Sequence, residues 1–188
     1  MTFAPAVSPD RGSPGSPAGL DEIGDWDGDW SGAGAVPAAV RSELSSAVAA
    51  WDDESVALAH IRAALSAAPD HPEVRVGAYK FYFYKHHYAE AAPLALWCVQ
   101  WAMGRLGLGS DWRRVSAGDA AFGGLDWLPR FFLFALKAYG YVLVRTGALE
   151  AGRAAVARAA ELDPADRIGA GRLLAVIDRM GIEPDDDA

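Results

Sequence analysis

The residues that could carry chemistry in this chain are few, and their spacing suits little of it. The string Asp25-Trp26-Asp27-Gly28-Asp29 has the alternating acids that open an EF-hand loop. Its sixth position, where glycine must turn the chain, is Trp30, and its twelfth, where a bidentate glutamate closes the shell, is Val36. It reads as a solvated acidic segment. His86 and His87 are adjacent, so on a helix they diverge by about 100° and cannot share a metal. His60 and His71 lack a ligand at i+4, so no metal site is expected. Cys98 is the single cysteine, which excludes an internal disulfide or a multi-cysteine cluster. It lies in an Ala/Leu/Trp-rich stretch that predicts a buried structural thiol. The glycines of GRLGLG follow no strand and precede no Lys-Ser/Thr pair, and neither GxSxG nor HExxH occurs. The expectation is therefore a non-enzyme with no cofactor and no catalytic residue. Tyr84, His86 and His87 form the weaker enzymatic alternative.

These residues sit in a chain of 188 residues, 52% hydrophobic and 22% charged, with a formal net charge of −8. That length suits one domain with its own core. The charge is unevenly distributed. Residues 1–36 hold six acids against Arg11, a net of −5, and Gly181 to Ala188 hold four acids. Removing both ends leaves residues 37–180 at +1. Residues 1–36, rich in Pro, Gly, Ser and Asp, cannot bury enough apolar surface to offset their ordering entropy and are expected to be a disordered tail. The overall anionic balance argues against nucleic-acid binding. No uncharged apolar run reaches 18 residues and the start lacks a signal-peptide pattern, so no membrane span and a cytoplasmic location are expected. Fourteen arginines against three lysines, with no asparagine, suggest a GC-rich bacterial genome.

The middle reads as all-α. Pro37 leads a helix with Val40, Leu44 and Val48 spaced by four. Asp52 and Asp53 offer caps for ESVALAHIRAALSAA, whose stripe of Val56, Leu58, Ile61, Ala64 and Leu65 ends at Pro69. Pro72 opens a third helix, and the His86-His87 region turns the chain into a fourth, from Tyr88 to Met103, which carries Pro93. Residues 104–128 are expected to be an irregular connector with a short helix near Ser116 to Phe122. Pro129 opens an apolar helix that Thr146-Gly147 closes, and helices over Leu149–Leu162 and about Ala165–Met180 follow. No run shows the alternation of a strand.

HIRAALSAAPDHPEV and VARAAELDPADRI share a pattern: an Ala-rich helix, a proline, a polar turn and another helix. With Pro69 as a terminal proline, Ala57, Ile61 and Ala64 fall where packed helix pairs need small or bulky residues. Tyr82, Tyr88 and Ala91 continue the register. With Pro164 as the second terminal proline, Gly140, Gly147, Gly152 and Ala159 take the glycine and small positions. The two prolines are 95 residues apart, two units of about 34 residues plus the connector. On these residues the chain resembles the tetratricopeptide-repeat (TPR) family in degenerate form. The units span 38–71, 72 to about 105, and 133–166, with a capping helix after them. Tyr79, Cys98 and Met103 depart from the pattern.

The resemblance implies a concave face built from the first helix of each unit and used to bind a partner segment. By position, that face is Glu73, Val76, Lys80, Phe83 and Tyr84 in the middle unit. In the last unit it is Phe134, Lys137, Tyr141, Val144 and Arg145. Aromatics mixed with cations suit a partner carrying carboxylates and apolar anchors. The expected function is an adaptor or assembly factor. The alternative is a small-molecule or acyl-chain binder with an apolar pocket around Phe81, Trp97, Trp101, Phe131 and Phe132. The chaperone-type carboxylate clamp of the family uses asparagines and is not expected. The acidic-aromatic string with Trp26, Asp27, Asp29 and Trp30 has the opposite character to the face, and is expected to dock on it in cis and compete with the ligand; the alternatives are binding in trans or a tail that merely solubilises.

Overall fold

A computed structural model describes residues 33–180 of the chain. Among them are seven α-helices and no strand: α1 (Ala38–Ala49), α2 (Glu54–Ala67), α3 (Pro72–Tyr84), α4 (Tyr88–Leu106), α5 (Trp127–Arg145), α6 (Leu149–Leu162) and α7 (Ala170–Met180). Consecutive helices pack on one another along the chain, so α1–α2, α3–α4 and α5–α6 form three helix-turn-helix pairs, with α7 closing the end on α6.

Local chemistry accounts for most of the boundaries. Asp53 caps α2 by accepting the Val56 N–H at 3.2 Å. Pro72 occupies the first turn of α3, and Pro129 lies in the first turn of α5, where a missing N–H costs nothing. The chain continues through Pro93 to Leu106, and Gly107, at φ +70°, ends α4 in the left-handed conformation. α5 starts at Trp127, two residues before the proline expected to open it.

Three expectations need correction. Val36 does not belong to the tail: it is buried with Val40, Ala64 and Val74, and the Gly34 carbonyl bonds His71 Nε2 at 3.1 Å. The connector has no helix at Ser116–Phe122; its helical turn is a 3-10 turn at Trp112–Arg114, capped by Asp111. α7 begins at Ala170 rather than about Ala165, because two aspartates hold the preceding segment as a turn. Asp163 accepts the Ile168 N–H at 2.9 Å, and Asp166, at φ +49°, accepts the Gly171 N–H at 2.7 Å.

The core runs through the pairs. Ala57, Ile61 and Ala64 of α2 are buried against α1 and α3, whereas Val56 is exposed and Val48 of α1 is 69% exposed. α5 is the most buried helix. It is long and apolar enough to cross a membrane, with mean hydropathy 1.2, yet 61% of that stretch is buried inside the fold. That is how the core helix of a stacked array reads.

The tightest approach is between α5 and α6. A Cβ added to Gly140 would lie 2.7 Å from the Gly152 carbonyl, and one added to Gly152 would lie 2.5 Å from the Gly140 carbonyl. The two backbones therefore touch, and relief requires a helix to move. Gly152→Ala is expected to destabilise the fold by about 1–3 kcal/mol, an overpacking cost. Gly104→Ala, on the open side of α4 where a Cβ meets nothing within 4 Å, should stabilise by up to about 1 kcal/mol. Urea unfolding of both variants measures the opposite signs.

Candidate partner-binding face

Successive helices carry the main packing, and the first helices of the pairs touch one another through single side-chain contacts. Leu44 of α1 meets Gly77 of α3 at 3.2 Å from the position of a Cβ, and Phe83 of α3 meets Tyr141 of α5 with ring centroids 5.6 Å apart. Residues expected to line an open groove therefore divide. Val76, Phe83, Lys137 and Tyr141 are buried, Lys80 is half-buried, and Tyr84 and Arg145 are exposed. Phe83 is buried because four tyrosines, Tyr79, Tyr84, Tyr88 and Tyr141, surround its ring at 5.4–6.0 Å.

Lys137 is the clearest correction. It is 1% exposed, and its ammonium donates to the Ile168 carbonyl while lying 5.4 Å from the Phe134 ring. The helix period of α5 directs it into the seam with the segment before α7, where it serves the fold. Of the face expected from the resemblance, Tyr84 and Arg145 are exposed, and Glu73, Lys80, Phe134 and Val144 are half-buried. Trp26, Asp27, Asp29 and Trp30 lie outside the described residues.

Arg145 and Tyr141 are one turn apart on α5, and the guanidinium donates to the Tyr141 hydroxyl at 2.7 Å. It also lies 4.4 Å over the ring of Tyr88, at the start of α4. The Tyr88 hydroxyl is 2.8 Å from His86 Nδ1. Burial holds the Tyr88 hydroxyl above the usual tyrosine range, with Tyr141 adding to the effect and Arg145 opposing it. Arg145 is raised above its ordinary value: burial opposes its charge, but the Tyr141 bond and both tyrosines favour it. Among the described residues this guanidinium has no carboxylate within ion-pair distance.

His86 was expected here only as part of the weaker enzymatic alternative with Tyr84 and His87. α3 ends in a Schellman turn, with the His87 N–H on the Tyr82 carbonyl and the His86 N–H on the Phe83 carbonyl. The left-handed residue of that turn is His86, at φ +61°, while the corresponding turn after α5 uses Gly147 at φ +87°. A histidine where glycine costs least carries strain, and its ring is spent on positioning Tyr88. His87 turns elsewhere, pairing with Glu54 of α2 at 2.6 Å, and His60 pairs with Glu43 at 2.7 Å. The histidines are thus dispersed, and among the described residues no three His, Cys, Asp or Glu side chains gather as a metal would need.

A second arrangement lies at the other end of α3. Arg75 sits 5.0 Å over Trp97, which stacks on Trp101 at 6.5 Å, and Trp101 meets Trp127 at 6.3 Å. Arg105 lies 5.9 Å over Trp101. Sequence spacing could have found the Trp97–Trp101 and Trp127–Phe131 pairs, both i,i+4, but not their meeting across helices. Phe81, Phe131 and Phe132, expected to line one apolar pocket with these tryptophans, are buried apart: Phe131 lies against Trp101 and Trp127, Phe132 against Phe122, and Phe81 against Trp51 at the other end of α3. Between Phe122, Leu133, Arg167 and Ile168 the surface is only dented, with no room for a buried water.

No family model matches the chain, and no solved structure matches it. It is similar to a curated protein of Azotobacter chroococcum mcd 1, described as an "Uncharacterized 19.8 kDa protein in nifW 5'region". The two are 41% identical over 113 residues, 58% of this chain and 63% of that protein. The chain thus spans less than two thirds of its relative's length.

His86→Gly is expected to stabilise the fold by about 1 kcal/mol by removing the left-handed strain, while freeing the Tyr88 ring. Thermal melting reads the first effect and the Tyr88 ring resonances the second. Burial pushes the Cys98 thiol up to about 12, with Arg75 opposing. Native protein at pH 8 should therefore leave a thiol reagent unconsumed, and one thiol should react once urea unfolds it.

Proposed function

We propose that the chain is a non-enzymatic adaptor or assembly factor of TPR-like build. It binds a segment of a protein partner on the face formed by α1, α3 and α5. The observation that carries this reading is the Arg145 guanidinium, fixed by the Tyr141 hydroxyl and the Tyr88 ring and facing no carboxylate among the described residues. A pre-oriented cation beside exposed aromatic surface suits a carboxylate next to an apolar side chain. Charge-assisted hydrogen bonding then supplies direction, and ring burial supplies the free energy. Tyr84, 42% exposed at the end of α3, offers the apolar contact, and Lys80 lies one turn before it on the same helix.

The three sequential helix pairs support the TPR-like part of the reading. Gly140, Gly152 and Ala159 are buried at α5–α6 where that repeat places small residues. A cytoplasmic location is part of the proposal. The relative's description, in the 5' region of nifW, directs the first search for partners to nif gene products.

The test is affinity capture from the source organism with wild-type bait and with Arg145→Glu and Lys80→Glu baits, each confirmed folded by its melting curve. A partner held by wild type should be lost or weakened at least tenfold by either reversal. Equal capture by all three baits would overturn the assignment of this face.

A further inference from the structure

We infer that residues 21–30 of this chain, DEIGDWDGDW, bind in cis on the row formed by Arg75, Trp97, Trp101, Arg105 and Trp127. The inference does not depend on the partner reading, because it concerns the other end of α3 and an occupant already in the chain.

Three observations converge on that row. The first is where the described chain starts. The Gly34 carbonyl is tied to His71 Nε2, and Val36 is locked into the small cluster with Val74. His71 immediately precedes α3, and Arg75 lies one helical turn into it. The chain therefore enters the fold beside Arg75. The second is reach. The row advances from Arg75 in steps of 5.0, 6.5 and 6.3 Å. At about 3.3–3.6 Å per extended residue, the four residues back to Trp30 cover roughly 14 Å and the nine back to Asp25 roughly 31 Å. Trp30 thus reaches the near end of the row, at Arg75 and Trp97, and Trp26, with about twice the tether, reaches its far end.

The third observation is chemical complementarity. The segment carries five acids and no cation, interleaved with Ile23, Trp26 and Trp30. The row carries two guanidiniums laid on half-buried indoles. A guanidinium stacked on a ring still offers N–H groups to a carboxylate, Arg75 through its terminal nitrogens because its Nε donates to the Pro69 carbonyl, and an indole edge still accepts another ring. Asp70, 88% exposed and 3.8 Å from Arg75, is the acid on this rim, and Asp126 precedes Trp127. Both are outnumbered by the segment's own five carboxylates, so salt weakens docking without abolishing the ring contacts. The acidic C-terminal stretch Gly181 to Ala188 is a poorer occupant, since it has no aromatic residue. A tether of a few residues holds the segment near the row at an effective concentration of the order of millimolar, so even a weak contact is populated.

The test uses the full chain with a nitroxide on Gly24→Cys; Cys98 is buried and takes no label. Paramagnetic broadening of the indole N–H signals is then read against the reduced sample. Signals of Trp97, Trp101 and Trp127 should lose more than half their intensity, and Trp51, at the far end of α3, should lose much less. Trp26→Ala with Trp30→Ala, outside the described fold, should remove the effect. Arg75→Glu with Arg105→Glu should do the same in a variant whose other resonances stay in place. Strongest broadening at Trp51, or a pattern that survives the tail substitutions, would overturn the inference. So would broadening that appears equally when labelled chain of natural isotope content is mixed with unlabelled 15N chain, since the occupant would then be a second copy.

Discussion

The fold depends on one steric constraint, the contact between the backbones of Gly140 and Gly152. Carbonyl oxygens sit where side chains would normally hold helices apart, so α5 and α6 approach more closely than any alanine pair would allow. α5 is thereby fixed along its axis, and its neighbours are placed by it. Its first half receives Trp101 and Phe122, its middle directs Lys137 towards α7, and its last turn presents Tyr141 and Arg145 to the start of α4. A shift of α5 by even one residue would separate each of these pairs.

A buried polar arrangement completes the far side of the same helix. Ile168 has its carbonyl held by the Lys137 ammonium and its N–H by the Asp163 carboxylate. Both charged groups are almost wholly buried, 1% and 3% exposed. An unpaired buried charge is costly, so these side chains are tolerated because each finds a backbone partner. The turn before α7 is thus specified from both sides, and the hydrophobic side chain of Ile168 is delivered to the core.

Much of the fold was legible in the residues. Asp53 and the early prolines of α3 and α5 are local signals, and helix starts follow local chemistry. Gly140 with Gly152 was legible as a spacing, because small residues recur wherever paired helices touch. What the sequence could not show is depth. Lys137, Arg145 and Lys80 look alike as cations at helical spacing, yet one is a core residue and another stands on a tyrosine ring. Which it is depends on what the neighbouring helix places opposite. The aspartate turn at 163–169 was missed for a related reason. Ala165 and Arg167 have good helix propensity, and the Asp163 and Asp166 bonds to later amides, with Lys137 on the Ile168 carbonyl, override it. The strained His86 was invisible because nothing in a His-His pair announces a left-handed backbone.

The joint between α2 and α3 differs in kind from the others. α4 and α5 share a broad aromatic seam. The first helix pair is fastened to α3 by a few discrete contacts: Trp51 against Phe81 and Tyr84, Lys85 on the Trp51 carbonyl, His87 on Glu54, and the Val36–Val74 cluster. The first pair is therefore held to the rest by the thinnest of the successive helix interfaces. A change in the angle between the first pair and the rest would disturb less helix packing than the same change at any later interface. The chain's entry point, Gly34, is tied across that joint, so load on the N-terminus reaches it before it reaches the α5 seam.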